Sequence, residues 1–378
     1  MTHLLSGYQK DWFRFDAVAG LTTAAVVIPQ SMAYASIAGL PVTAGLYVAL
    51  VPMLVYAVLG TSRPLSVSST STLAILTATQ LALTVPDADP ERLVAAASAL
   101  ALLVGAFLIA AAVLRLGFLA NFISDPVLTG FKAGIGLVIV VDQVPKLLGV
   151  HIERGHFFRK IFSILQHIPE TSLPTLILGA VTIGILLGMK RFLPRAPAPL
   201  VAVALGVSAA WLLGPRLGVA LTGHIPAGIP SPRVPDLMLL PSLWPGALGM
   251  ALMSFTESIA AGRAFAKHDD PPPVPNRELI ALGAANLAGS FFQGFPAGGG
   301  TSQTAVNSRA GAQTQAAALI TVAVVAATLL FLSPLIALLP QATLAGVVVV
   351  TTTPLLNPVD FRSILEVRRT EFLWAVAA

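Results

Sequence analysis

The chain has 378 residues, of which 56% are hydrophobic and only 10% charged, against about 25% charged in a soluble globular domain. With a mean hydropathy of +0.84, this balance excludes a soluble domain and marks a polytopic helical membrane protein. The net charge of +5 comes from basic residues in short loops rather than from a nucleic-acid-binding face, and the absence of cysteine excludes disulfides, thiol catalysis and Cys-ligated metals.

Residues 1–16 read as an amphipathic segment along the membrane interface, with Leu4, Leu5, Tyr8, Trp12, Phe13 and Phe15 among Lys10, Asp11 and Arg14. It leads into a first span over 17–38 without a cleavage pattern. Pro29-Gln30-Ser31 interrupts that span at mid-depth, and a second span covers 42–59. A polar stretch from Gly60 to Thr72 then opens an apolar helix over 70–85. At about 1.5 Å per residue this helix is too short to cross alone. Spans follow at 93–114, 126–147, 173–189 and 199–213, and a proline-rich connector covers 215–241. Two more spans are read at 243–265 and 279–292. After a second broken stretch come a short helix over 302–312, spans at 315–339 and 343–356, and a last apolar run at 372–378. The histidines fall in loops, with no i, i+4 pair of metal-binding type, so no metal or cofactor is expected.

The second broken stretch, NLAGSFFQGFPAGGGTSQTAVNSRAG from Asn286 to Gly311, breaks at Gly294-Phe295-Pro296 and passes through Gly298 to Gly300. In lipid, irregular backbone persists only where protein buries it or it lines a cavity. A helix restarting there aims unpaired N–H groups and its positive dipole end at the gap. Thr301, Ser302 and Thr304 add hydroxyls. The pattern reads as an anion site inside the membrane; a glycine-rich surface loop is the plainer alternative.

Residues 17–214 and 242–378 each carry two helices and then a broken half-length third, after Pro64 in the first half and after Pro296 in the second. Paired broken helices in corresponding positions point to a transporter site between inverted repeats. With the N-terminus cytoplasmic, fourteen of the 22 basic residues lie in inside loops and seven outside, with Lys132 within a span. That bias orients the chain N-in.

Several long motifs resemble the SulP anion transporters. They include IPQSMAYASIAGLPVTAGLY (Ile28 to Tyr47), VPMLVYAVLGTSR (Val51 to Arg63), ELIALGAANLAGSFFQGFP (Glu278 to Pro296), TAVNSRAGAQTQ (Thr304 to Gln315) and LPQATLAGVVV (Leu339 to Val349). They occur in family order and cover essentially the whole chain. The resemblance implies an all-α fold of two inverted repeats of seven transmembrane segments, split into core and gate domains, in a multi-pass inner-membrane protein. It implies an anion held between the third and tenth helices, often in a homodimer. It also implies a STAS domain and complete final helices, neither of which this sequence contains, so a shortened chain is expected.

Two departures matter. Ser68-Ser69 stand where the family commonly has Gly-Pro, and Ser302-Gln303 where many members have Ser-Arg. Losing a fixed positive charge leaves two helix dipoles and neutral donors, each dipole contributing about 0.3–1 kcal/mol at exposed sites. A dicarboxylate such as fumarate is therefore slightly favoured over sulfate or bicarbonate.

The candidate substrate-binding residues are Gln30, Tyr34, Thr70, Ser71, Thr301, Ser302 and Gln303. Gln30 follows Pro29, whose missing amide frees backbone groups; helix packing is the alternative for it and for Tyr34, one turn on. Thr70 and Ser71 match family site positions, and N-capping is compatible with that role. Glu257 lies well inside its span, where a lone carboxylate must be protonated, paired or wetted. By resemblance it faces the substrate and carries the coupling proton, sodium being less expected because no further acidic ligands lie near. Snorkelling from a helix end is the alternative. Lys132 and Asp142, ten residues apart, are expected to pair with other helices.

The leading reading is proton-coupled symport of a small inorganic or organic anion. An anion exchanger or channel-like conductor is the second class, and a nucleobase carrier on the same fold the third. No P-loop, G-x-S-x-G or metal signature supports an enzyme or an ATP-driven pump.

Overall fold

The computed structural model describes residues 8–86, 89–121, 125–150, 152, 157–193, 198–213, 218–223, 228–267, 270–353 and 362. Helix α1 (Trp12–Ile37), α2 (Val42–Leu59), strand β1 (Val67–Ser68), α3 (Ser71–Thr84) and α4 (Pro90–Val113) come first. They are followed by α5 (Asp125–Leu148), α6 (Phe157–His167), α7 (Leu173–Phe192) and α8 (Ala198–Leu213). After the connector come α9 (Leu240–Ala264), α10 (Pro275–Phe291), β2 (Gly298–Gly299) and α11 (Thr301–Arg309). The described part ends with α12 (Ala316–Ala327), a π-helical turn (Thr328–Leu332), α13 (Ser333–Ala337) and α14 (Gln341–Thr352). Six helical stretches among the described residues are long and apolar enough to cross a membrane. The final apolar run expected at 372–378 lies outside the described residues.

Two compact units are present, and each draws on both halves of the sequence: Met1–Phe122 with Ala227–Leu332, and Ile123–Pro226 with Ser333–Ala378. In the first unit α4 packs along α10 at a glycine contact. A Cβ on Gly105 would stand 2.8 Å from the Gly283 carbonyl oxygen, so this close approach requires glycine. The same unit holds α1 against α2 and α12, and α9 against α3, α4 and β2. In the second unit α14 packs on α5, α7 and α8.

Of the segment expected at the interface over 1–16, Trp12 to Asp16 form the first residues of α1. Asp16 is fully buried. Its carboxylate accepts from the Gln313 and Thr314 amides at 2.7 and 3.1 Å and from the Thr314 hydroxyl at 2.7 Å. The turn between α11 and α12 has free N–H groups, and this acid takes them up. Gln315 works from the other side, donating through Nε2 to the Ser62 and Leu65 carbonyls at 2.7 and 2.8 Å. The turn thus fixes the start of the polar stretch that leads to β1.

The stretch between the fifth and sixth expected spans is not simply a loop. Residues 157–167 form α6, so His167 closes a helix, its ring 2.8 Å from the Ser163 carbonyl. Asp142 on α5 pairs with Lys160 of α6, a neighbouring-helix pairing of the kind expected. The Lys132 side chain lies outside the described residues.

Candidate functional site

The two polar breaks meet in the first unit. β1 and β2 pair antiparallel, Val67 opposite Gly299 and Ser68 opposite Gly298. Because the strands run in opposite directions, α3 and α11 leave the crossing in opposite senses, with both N-termini beside it. Thr70 caps α3, accepting from the Leu73 amide at 3.2 Å. Gly300 begins α11, and no side chain caps it. The first-turn N–H groups of a helix have no intrahelical acceptor, so the α11 start offers donors and a positive dipole end.

The crossing is held on every side by small polar groups. Gly300 N–H donates to Ser66 O at 3.1 Å, and Ser66 N–H to Thr304 Oγ1 at 3.1 Å. Asn286 of α10 grips Ala297 through both ends of its amide, accepting at 2.8 Å and donating at 3.1 Å. On α9, Ser254 Oγ donates to Ala297 O, and Ser258 Oγ accepts from Gly299 N–H, each at 2.7 Å. A Cβ on Gly299 would stand 2.8 Å from the Ser258 Cα, so glycine is required for the strand to lie this close to α9.

Glu257 lies on α9 between those serines and is buried. Its carboxylate accepts from Thr72 Oγ1 at 2.7 Å and from Thr70 Oγ1 at 3.3 Å. The acid therefore faces the α3 start rather than snorkelling to a helix end. Gln30 is buried on α1, and its Oε1 lies 3.4 Å from the Ser302 hydroxyl, a long contact. Tyr34 is buried one turn further along α1. Ser71 is half-buried, while Thr301 and Ser302 are exposed on the surface of the unit.

Gln303 has a different surrounding from the one expected of a ligand contact. It is buried, accepting from Ser68 Oγ at 2.6 Å and donating through Nε2 to Ser69 O at 3.0 Å. Its amide spans the two breaks as a strut. Seven of the eight candidates thus surround the crossing through α1, α3, α9 and α11: Gln30 with Ser302 and Thr70 with Glu257 in direct pairs, Gln303 as the strut, and Ser71 and Thr301 as the adjoining first-turn residues.

Sequence reasoning passed over Thr72, Ser254, Ser258 and Asn286. The two serines carried a signal: their i, i+4 spacing on the helix that bears Glu257 puts both on one face. Among the described residues no cluster of His, Asp or Glu could hold a metal ion.

Residues 13–378 match the model of the sulfate permease family. A probable sulfate transporter of Mycobacterium tuberculosis (strain CDC 1551 / Oshkosh) is 38% identical over 373 residues, 98% of this chain and 66% of that protein. The chloroplastic sulfate transporter 4.1 of Arabidopsis thaliana is 33% identical over 381 residues, 98% of this chain and 55% of that protein. The chain thus spans only part of the length of these curated relatives. Among solved structures, the murine Solute Carrier 26 family member A9 anion transporter in the inward-facing state superposes with a TM-score of 0.93 at 24% identity, covering 98% of this chain and 66% of that one. The transmembrane domain of a cyanobacterium bicarbonate transporter gives 0.84 at 24% identity, covering 98% and 95%. At that identity both likenesses speak for the fold.

Proposed function

The chain belongs to the sulfate permease family, and we propose that it carries an oxyanion across a membrane by alternating access, coupled to a proton. One observation carries the reading: two helix starts meet at a strand crossing with Thr70, Ser71, Thr301 and Ser302 beside it and a buried acid behind. Each start contributes about 0.3–1 kcal/mol of attraction for an anion at exposed sites, and more where water is excluded. Hydroxyls add hydrogen bonds without adding charge, so an anion held this way can also leave.

The slight preference for a dicarboxylate rested on the loss of a fixed positive charge where Ser302-Gln303 stand. The Gln303 amide is committed to Ser68 and Ser69 and puts no charge at the site, so the choice of substrate turns on the relatives. Sulfate is the better substrate proposal, supported by the named activity of the mycobacterial and plant relatives. Glu257 is the proposed proton carrier, because a protonatable carboxylate buried beside the substrate helix links proton occupancy to the α3 start. The inverted repeats, a homodimer and an inner-membrane setting with the N-terminus inside belong to the same proposal.

The test is uptake into proteoliposomes of labelled sulfate, bicarbonate and fumarate, with and without an inward proton gradient. Sulfate accumulation stimulated by the gradient is expected. Uptake of none of these anions would remove the transport reading; uptake indifferent to the gradient would remove the proton.

A further inference from the structure

Helix α6 does not cross the membrane. Its 11 residues span about 16 Å, roughly half of a hydrocarbon core. Its place is fixed by its flanks: the Ser172 amide donates to the Leu148 carbonyl at 2.9 Å. The end of α5 and the start of α7 therefore sit side by side, and the excursion carrying α6 leaves and returns at one level. With α5 and α7 as spans, that level is the membrane boundary.

The faces of α6 are sharply divided. Ile164 is buried and Ile161 half-buried toward the protein. Phe158, Phe162 and Leu165, at i, i+4 and i+7, form one outward stripe and are 82%, 61% and 59% exposed. The inward and outward apolar stripes adjoin, leaving Arg159, Ser163 and Gln166 on the opposite face. Lys160, at the edge, is held by Asp142 of α5. On α7, Leu173, Ile177 and Val181 are exposed as well, at i, i+4 and i+8.

We infer that α6 is an interfacial anchor, its Phe158, Phe162 and Leu165 stripe inserted among phospholipid acyl chains. Lipid is the occupant because the stripe is carried between the adjoining ends of α5 and α7, at the membrane boundary, and α7 itself exposes an apolar stripe of the kind a span turns to acyl chains. The Arg159 guanidinium, on the opposite face, is placed at headgroup phosphates, as in interfacial helices that pair an apolar stripe with basic polar-face residues. Through the Asp142–Lys160 pair, the anchor holds the end of α5. The inference rests on α5 and α7 being spans and is independent of the anion site.

The chain's lack of cysteine makes the test direct. Single variants Phe158→Cys, Phe162→Cys, Leu165→Cys, Arg159→Cys, Gln166→Cys and Val181→Cys are labelled with a nitrobenzoxadiazole fluorophore. They are reconstituted into phosphatidylcholine vesicles with and without bromine on the acyl chains. Bromine near the headgroup end should cause loss of fluorescence at 158, 162 and 165 and little at 159 and 166, with deeper bromine quenching 181. Quenching at 181 but at none of the three stripe positions would overturn the anchor alone. No quenching at 181 would overturn the span reading with it. Self-quenching at 162 between labelled copies, relieved by dilution with unlabelled protein and insensitive to bromine, would assign the stripe to a second copy and overturn the lipid contact. Three stripe positions keep the test decisive if one variant fails to fold.

Discussion

The Thr72 hydroxyl donates to the Glu257 carboxylate across 2.7 Å, tying the first turn of α3 to the middle of α9. Thr70 touches the same carboxylate at 3.3 Å while also capping the helix. The acid thus reads the position of the α3 start through two hydroxyls of unequal strength. A hydrogen bond to a charged group contributes about 1.5–3 kcal/mol. Thr72→Val keeps the shape and removes the stronger donor, so uptake should fall by roughly tenfold or more if that share is lost in transport. Thr72→Ser should restore it. Equal rates for Val and Ser variants would show the contact to be incidental.

Gln303 should behave as a strut. Gln303→Leu leaves the Ser68 hydroxyl and the Ser69 carbonyl without their partner in a buried place, at a cost of about 1–3 kcal/mol for each stranded group. Gln303→Glu sets a carboxylate oxygen against the Ser69 carbonyl and should cost at least as much. Thermal unfolding in detergent, without any anion, is the measurement. Unchanged midpoints together with altered anion affinity would return Gln303 to the binding site.

Gly299 leaves no room for a side chain. A Cβ there would lie 2.7 Å from Leu65 Cδ1 and 2.8 Å from the Ser258 Cα. Leu65 can turn, but the α9 backbone cannot, so Gly299→Ala should push the strand crossing off Ser258 and break the 2.7 Å bond to Gly299 N–H. Overpacking of this kind costs about 1–3 kcal/mol. Anion binding by calorimetry should weaken with stability, whereas retained binding would mean that the crossing tolerates displacement.

Much of this arrangement was legible from residue types. Long apolar runs fix the spans, and Pro64 with the serines after it and Pro296 with Gly298 to Gly300 fix where backbone breaks must fall. The pairing of β1 with β2 was not legible, because two-residue strands have no periodicity to read. Nor was the direction of Gln303: an amide in the first turn of a helix points either to the gap or back across the break. Partners 235 residues away decide which. The partners of Asp16 were not legible either: they lie 297 and 298 residues on, in the turn after α11, which buries the acid. Helix α6 was missed although Phe158, Ile161, Phe162 and Leu165 follow a helical period, because its 11 residues are too few to read as a span.

Glu257→Gln is the decisive substitution for coupling. Glutamine keeps an oxygen able to accept from Thr72 and nearly the same volume, so the α9–α3 contact should survive. What it removes is the exchangeable proton and the negative charge. An oxyanion entering a cell works against a negative-inside potential of about 2.3 kcal/mol per charge per 100 mV, and each co-transported proton removes one charge from that cost. With glutamine in place the site resembles its protonated form permanently. Anion binding and anion-for-anion exchange should then persist, while net uptake loses its response to an inward proton gradient. The measurement is labelled sulfate uptake at a clamped membrane potential, at equal pH on both sides and with the outside acidified. Wild-type stimulation in Glu257→Gln would place the proton on another group; loss of exchange as well would make Glu257 a binding residue and not a carrier of protons.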